Sequence, residues 1–235
     1  MIRLVTFDAS GTLVDHDWDP AGLIYNAATA LGVQVPETKA TNAYERIHTR
    51  RRASLEEVEK RGDPSEIRAF WQGEVAEWLQ AVGGDPSLSR DIYETCRRKT
   101  FSTSNRIWRV FPDVEGALSA LRARGLRLGV ISNWDSSLHE ILRNLRIYEH
   151  FDFVVASLEF GVEKPAAGIF LEALRRGDAQ ASETLHVGDH LEDDVRGAEA
   201  AGMRALHLDR SRPPDRAAGR IADLAEVAEA VAACG

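Results

Sequence analysis

Cysteine is nearly absent. Cys96 and Cys234 are the only two, far apart and outside any CxxC spacing, so neither a disulfide framework nor a thiolate zinc site is expected. Long apolar runs are missing too. No stretch approaches the ~18 residues that a membrane span needs, and the first residues enter a strand pattern instead of a leader pattern. A soluble, cytoplasmic protein without a membrane partner is the expectation. Positive charge is in short supply. Lys and Arg total 29 against 37 Asp and Glu, a formal net charge of −8 with pI near 5.4, which argues against a nucleic-acid partner. Repeats and low-complexity tracts are lacking, and the only loop-like stretch runs from Arg210 to Gly219. What remains is ordinary globular material. The chain is 44% hydrophobic, enough for a sizeable core. Its 235 residues suit one main domain with a large insertion.

The informative stretch is Ile2-Arg3-Leu4-Val5-Thr6-Phe7-Asp8-Ala9-Ser10-Gly11-Thr12-Leu13. An apolar run rich in Val, Ile and Leu reads as a buried strand. It ends abruptly in an acid, two small residues, a glycine and a threonine. Asp8 then sits at a strand's carboxyl end, where open α/β sheets bind their ligands. Gly11 permits a backbone conformation denied to other residues, and the amides around it can face an anion. A carboxylate so placed can act as a nucleophile. Alone, it could equally open an Asx-turn.

From Asp19 to about Phe101 the periodicity is helical, without a convincing strand. Asp19-Pro20 caps a first helix that Gly32 ends. Pro36 opens a long second one, through Glu59, with a break near Arg52. Pro64 begins a third, with Ile67, Trp71, Val75, Trp78 and Val82 as its buried stripe. A last one runs from Ser87 to Lys99. These residues read as a four- or five-helix bundle. From Val110 onward helices and strands alternate. The helices are Pro112–Arg124, Ser136–Leu145, Ala166–Arg176, Leu191–Ala201 and a closing one carrying Ile221, Leu224, Val227 and Val231. The strands are Leu126–Ser132, Phe151–Ala156, Thr184–Val187 and Ala205–Leu208. Strict alternation with short connections predicts an α/β fold, a Rossmann-like parallel sheet core with helices on both faces, plus an α-helical bundle cap. The core is expected to span residues 1–14 and 108–235, and the cap 15–107.

In a parallel sheet the residues just after each strand are neighbours. Here these are Asp8; Ser132-Asn133; Lys164-Pro165; and Gly188-Asp189, with Asp193-Asp194 beyond. Each suits phosphoryl chemistry. Ser132, Asn133 and Lys164 can hold a phosphate, and Lys164 neutralises charge developing in the transition state. Asp8 and Asp189 can share a hard cation such as magnesium. Each also has a plain alternative: a helix cap at Ser132-Asn133, a solvated loop lysine at 164, a helix N-terminus gathering acids at 189–194. Four such loops in this order favour the chemical reading.

This ordered set resembles the four motifs of the haloacid dehalogenase superfamily of hydrolases, in the group whose helical cap follows the first strand. The resemblance covers nearly the whole chain. It is carried by Gly129-Val130-Ile131-Ser132-Asn133, Glu163-Lys164-Pro165 with Ile169-Phe170, and His186-Val187-Gly188-Asp189 with Asp194. It implies magnesium dependence (Mg2+ held by Asp8, Asp189 and the backbone carbonyl of Ser10) and a covalent aspartyl-phosphate on Asp8. Asp8, Ser10 and Lys164 are then the catalytic residues, with Thr12 and Asp194 supporting the ligands. A small phosphorylated substrate and a monomer or homodimer are the accompanying expectations.

One departure stands out. Most phosphatases of this superfamily carry a second Asp two residues after the nucleophile as general acid and base; here that residue is Ser10. Such help is worth ~10²–10⁴ in rate, so weak acid–base catalysis is expected. Substrates with good leaving groups are then favoured, or an acid borrowed from Asp15, His16 or Asp17, or a catalytically silent binding protein. A dehalogenase of the family usually has tyrosine at this place and no Gly-Asp with trailing carboxylates. A phosphonatase needs a Schiff-base lysine, and the helical insert offers only Lys39, Lys60 and Lys99. Arg46, His48, Arg50, Arg51 and Arg52 read as a solvated face paired with Glu56, Glu57 and Glu59, or as a collar for an anionic substrate. His186 and His190 flank a strand end, which disfavours zinc.

Overall fold

The computed structural model describes residues 1–102 and 107–233; Cys234 lies outside them. It divides into two compact units, Met1–His16 with Trp108–Gly235, and Asp17–Ile107. Asp15 and His16 therefore lie with the sheet, because they complete a short strand described below.

The Asp17–Ile107 unit holds four α-helices among its described residues: α1 (Pro20–Ala30), α2 (Glu37–Arg61), α3 (Pro64–Val82) and α4 (Ser89–Phe101). An Asp-Pro pair opens α1, α3 and the 3₁₀ turn before α4. In each the aspartate accepts a backbone N–H two or three residues on, and proline fills the first helical position. Helix α2 runs unbroken through Arg52. The three arginines there favour helix, and two of them are tied sideways, Arg50 and Arg51 to Glu77 of α3. Only Arg52 pairs within its own helix, with Glu56 at 3.2 Å. The buried face of α3 is Phe70, Glu74, Val75, Trp78, Leu79 and Val82. Ile67 and Trp71 are only half-buried; Trp71 stacks on His48, at 5.9 Å between rings, instead of entering the core. Trp78 is fully buried and donates its indole N–H to the Ala40 carbonyl at 2.9 Å. Cys96 is half-buried, and burial pushes its thiol up to about 11.

The other unit is a six-stranded parallel sheet in the order β5-β4-β1-β6-β7-β8, with a two-stranded antiparallel ribbon, β2 with β3. The strands are β1 (Leu4–Phe7), β2 (Val14–His16), β3 (Trp108–Val110), β4 (Arg127–Ser132), β5 (Phe153–Ala156), β6 (Thr184–Gly188), β7 (Arg204–Leu208) and β8 (Arg220–Ile221). The helices are α5 (Val114–Ala123), α6 (Ser137–Asn144), α7 (Ser157–Phe160), α8 (Ala167–Gly177), α9 (Gly197–Ala200) and α10 (Val227–Ala233). The sheet is Rossmann-like, and β1 lies at its centre between β4 and β6. Phe7 is in register with Val130 on one side and Val187 on the other, so the chain leaves all three strands at one level. Continuous burial of β1 and β6 explains why these strands read as plain apolar runs.

Further differences from the sequence expectation lie in this unit, including the short helix α7. The ribbon was invisible because three-residue strands carry no detectable period. Ile221 lies in β8, not in the closing helix, because Asp223 caps a new turn that leads into α10. The segment Leu191–Arg196 is π-helical before α9. There His190 N–H is drawn to the Asp194 carboxylate at 2.9 Å, and the His190 ring accepts from Asp193 N–H.

Replacing Trp78 with Phe removes the indole donor to the Ala40 carbonyl and leaves a gap in the helical core. The change should destabilise the chain by about 1–3 kcal/mol, read as a lower urea midpoint. An unchanged midpoint would show that the hydrogen bond contributes nothing.

Candidate active site

Asp8 follows β1, and its N–H donates to Val187 O at 2.9 Å, which continues the strand ladder by one residue and holds the side chain at the sheet edge. Ser132, the last residue of β4, donates its hydroxyl to Asp8 Oδ1 at 3.1 Å. Lys164 lies in the loop after β5 and α7. Its Nζ donates to Asp8 Oδ1 at 2.6 Å and to Asp194 Oδ1 at 2.5 Å. The lysine is aimed by its backbone. Asn133 Oδ1 accepts from Lys164 N–H at 2.7 Å, while Asn133 Nδ2 donates to Lys164 O at 3.0 Å. The two-point clasp places Asn133 as the holder of Lys164. The Lys164–Pro165 peptide is cis.

Asp189, after β6, is the exposed member and accepts from the Thr12 hydroxyl at 3.3 Å. Gly11 makes that approach possible. Its φ is +78°, and a Cβ there would lie 2.3 Å from Asp189 Oδ2. Gly188 serves similarly, since a Cβ would sit 2.2 Å from Asp194 Cγ. Asp8, Asp189 and Asp194 each bring an oxygen within 4.8 Å of the others. Asp194 is thus a member of the cluster, not a residue behind it.

The electrostatics follow from burial. Burial pushes the Asp8 carboxyl up to about 6; Lys164 opposes this and Asp194 adds to it. Burial also disfavours charge on Asp194, but hydrogen bonds from His186 and Lys164 prevail and hold it well below the usual carboxylate range. Lys164 stays above its ordinary value because its two carboxylates outweigh its desolvation. His186 is fully buried, with Nδ1 2.9 Å from the Thr6 hydroxyl and Nε2 3.3 Å from Asp194; burial lowers its pKa. Three carboxylates share one ammonium. The set is all hard oxygen and short of positive charge, and it can hold a divalent cation. Among the described residues no metal-capable group contains histidine or cysteine.

Ser10 stands outside the three carboxylates, none of which is replaced. Its hydroxyl lies 2.8 Å from His16 Nε2. His16 in turn packs edge-on against Trp108, which meets Trp134 at 5.2 Å. Of the other candidate acids, Asp15 is engaged by Arg109 at 2.7 and 3.0 Å, and Asp17 belongs to the helical unit. Sequence reasoning missed the role of His186 and of Thr6, because nothing in a buried strand's pattern marks which polar side chain supports a neighbouring loop.

Residues 2–202 match the family model described as haloacid dehalogenase-like hydrolase. The chain belongs to that family. Mouse (Mus musculus) haloacid dehalogenase-like hydrolase domain-containing protein 3 is 33% identical over 218 residues, covering 92% of this chain and 85% of the relative. Phosphoserine phosphatase of Thermus thermophilus is 35% identical over 172 residues, covering 69% of this chain and 67% of the relative. Among solved structures, 2-haloacid dehalogenase from Pseudomonas syringae pv. Tomato superposes with a TM-score of 0.71 at 29% identity, each chain fully covered. This haloacid dehalogenase-like hydrolase is therefore similar over its whole length to a dehalogenase and over about two thirds of it to a phosphatase.

Lys164→Met should destabilise this hydrolase by about 3–5 kcal/mol, because Asp8 and Asp194 would be left buried without their cation. Calorimetric melting of the metal-free protein checks this. An unchanged melt would mean that the two carboxylates are not held by the ammonium.

Proposed function

We propose that this hydrolase is a magnesium-dependent phosphatase of small phosphorylated metabolites that works through an aspartyl-phosphate on Asp8. The observation that carries the proposal is the cluster of three carboxylates around the Lys164 ammonium, with the Ser132 hydroxyl on the same Asp8 oxygen. The phosphatase name of the Thermus relative supports it.

An oxygen of Asp8 bonds to phosphorus as the bond to the leaving oxygen breaks. Ser132 and Lys164 hold the phosphoryl oxygens in line, and Asn133 keeps Lys164 aimed. Magnesium held by Asp8, Asp189 and the Ser10 carbonyl, with Asp194 beside them, would offset the repulsion between carboxylate and phosphate. The leaving oxygen needs a proton, which the Ser10 hydroxyl cannot supply at neutral pH. His16, at hydrogen-bond distance from Ser10, is the group assigned to deliver it, directly or across that hydroxyl. Water then attacks phosphorus, its proton passes back toward His16, and phosphate leaves Asp8. Return of the proton is the weak step, so the phosphoenzyme persists.

The dehalogenase reading has one observation in its favour, the fold and 29% identity shared with the Pseudomonas enzyme. Against it stand the crowded carboxylates, which repel an anionic haloacid unless a cation intervenes.

Turnover of p-nitrophenyl phosphate should require magnesium and disappear in Asp8→Asn. Activity on 2-chloropropionate without metal, in place of this, would favour dehalogenation. Ser10→Asp should raise turnover of alkyl phosphates by roughly 10²-fold or more and shorten the life of the phosphoenzyme; unchanged turnover counts against the weak-acid account. His16→Gln should slow alkyl phosphates by about 10²-fold while sparing p-nitrophenyl phosphate, whose leaving group needs no proton. Equal losses on both substrates would remove His16 from the proton path.

A further inference from the structure

Arg210 lies beyond residue 202, where the family match ends. It follows β7 and reaches back to the turn that carries the nucleophile. Its Nη2 donates to the Thr12 carbonyl at 2.9 Å, and its Nη1 donates to Asp113 Oδ2 at 2.7 Å. The guanidinium lies 4.0 Å over the Phe111 ring, and Phe111 N–H donates to the Leu13 carbonyl at 3.2 Å. Asp113 Oδ2 also accepts from Leu224 N–H at 2.8 Å. Arg210 thus joins two segments beside the Asp8 loop, and its partner Asp113 ties in a third.

Thr12 is fully buried, so its carbonyl has no access to water and needs a protein donor. Arg210 supplies that donor, while the Thr12 hydroxyl points the other way, to Asp189. The Arg210–Asp113 pair is poorly built as a pure stabiliser. Arg210 Nε and Asp113 Oδ1 are both buried without a hydrogen-bond partner, and a half-buried ion pair left incompletely satisfied contributes little net stability. What the pair does achieve is direction: it aims one tooth of a rigid fork at Thr12.

From this geometry we infer that Arg210 is a positioning residue that fixes the Ala9–Val14 turn and, through Thr12, the Asp189 carboxylate. Its effect on metal affinity rests on the proposed magnesium site; its effect on the turn does not. A lysine at 210 can answer Asp113 or the Thr12 carbonyl but cannot reproduce the fork.

The test compares wild type, Arg210→Lys, Arg210→Met and Arg122→Met. Arg122 pairs with Asp152 at 2.7 Å, beside the amino end of β4, and serves as the structural control. Hydrogen exchange is followed on peptides spanning residues 8–14 in metal-free protein, and magnesium binding by calorimetry without substrate. Arg210→Lys should speed exchange of the Leu13 and Val14 amides, which bond to the Ala9 carbonyl, by about tenfold. It should also weaken magnesium binding by ~10-fold, the lower end for residues that support a metal ligand. Arg122→Met should do neither. If Arg210→Met does not fold, the lysine variant decides. Exchange unchanged in Arg210→Lys overturns the inference, as does unchanged magnesium affinity where the wild type binds. Faster exchange in a protein whose wild type binds no magnesium supports the turn clamp and removes the metal reading instead.

Discussion

The ammonium of Lys164 between Asp8 and Asp194 is the contact on which the site depends. Three acids brought to one sheet edge repel one another, and two of them are buried. Without a cation among them the edge would either open or take up protons. Lysine offsets the cost of burying the Asp8 carboxylate by holding one oxygen at 2.6 Å. The same contact anchors Asp194, which the neutral His186 supports from the sheet interior. The deficit of positive charge that remains is what gives the cluster its capacity for a divalent ion.

Around that contact the fold supplies rigidity by ordinary means. Asp8 is carried by the central strand, whose two neighbours leave the sheet at the same level. Lys164 is carried by a loop, a poor platform for precision, and the Asn133 clasp on its backbone makes up for this. The acidic loop after β6 departs from α-helical form through its first turn. There the Asp194 carboxylate captures the His190 amide, so one carboxylate both organises its own loop and meets the lysine. Close approach in this crowded corner is possible because two glycines face carboxylates there.

Serine at position 10 leaves the three carboxylates of this framework intact. Serine fits the turn, and its hydroxyl meets an imidazole from the short ribbon. An imidazole is thereby brought beside position 10. The ribbon, too short to register in any sequence pattern, is what delivers it.

The strand–helix alternation, the Asp19-Pro20 opening of the first helix and the four strand-end loops were all readable in the residues. Each depends on local periods and caps, and each loop's position follows from the rule that parallel strands end on one side. Three kinds of fact were not readable. The faces actually buried in the helical unit were one, because Trp71 and Trp78 have the same local credentials and only packing separates them. The short pairings β2 with β3 and β7 with β8 were another, since two or three residues carry no period. Side-chain partnerships were the third: Arg210 with Thr12 and Asp194 with Lys164 across long separations, and His16 with Ser10 across the ribbon's turn. Sequence alone determined which chemical groups meet at the sheet edge. Only the tertiary structure decided which of them touch, because a hydrogen bond depends on ångström-scale placement of side chains that local pattern does not encode.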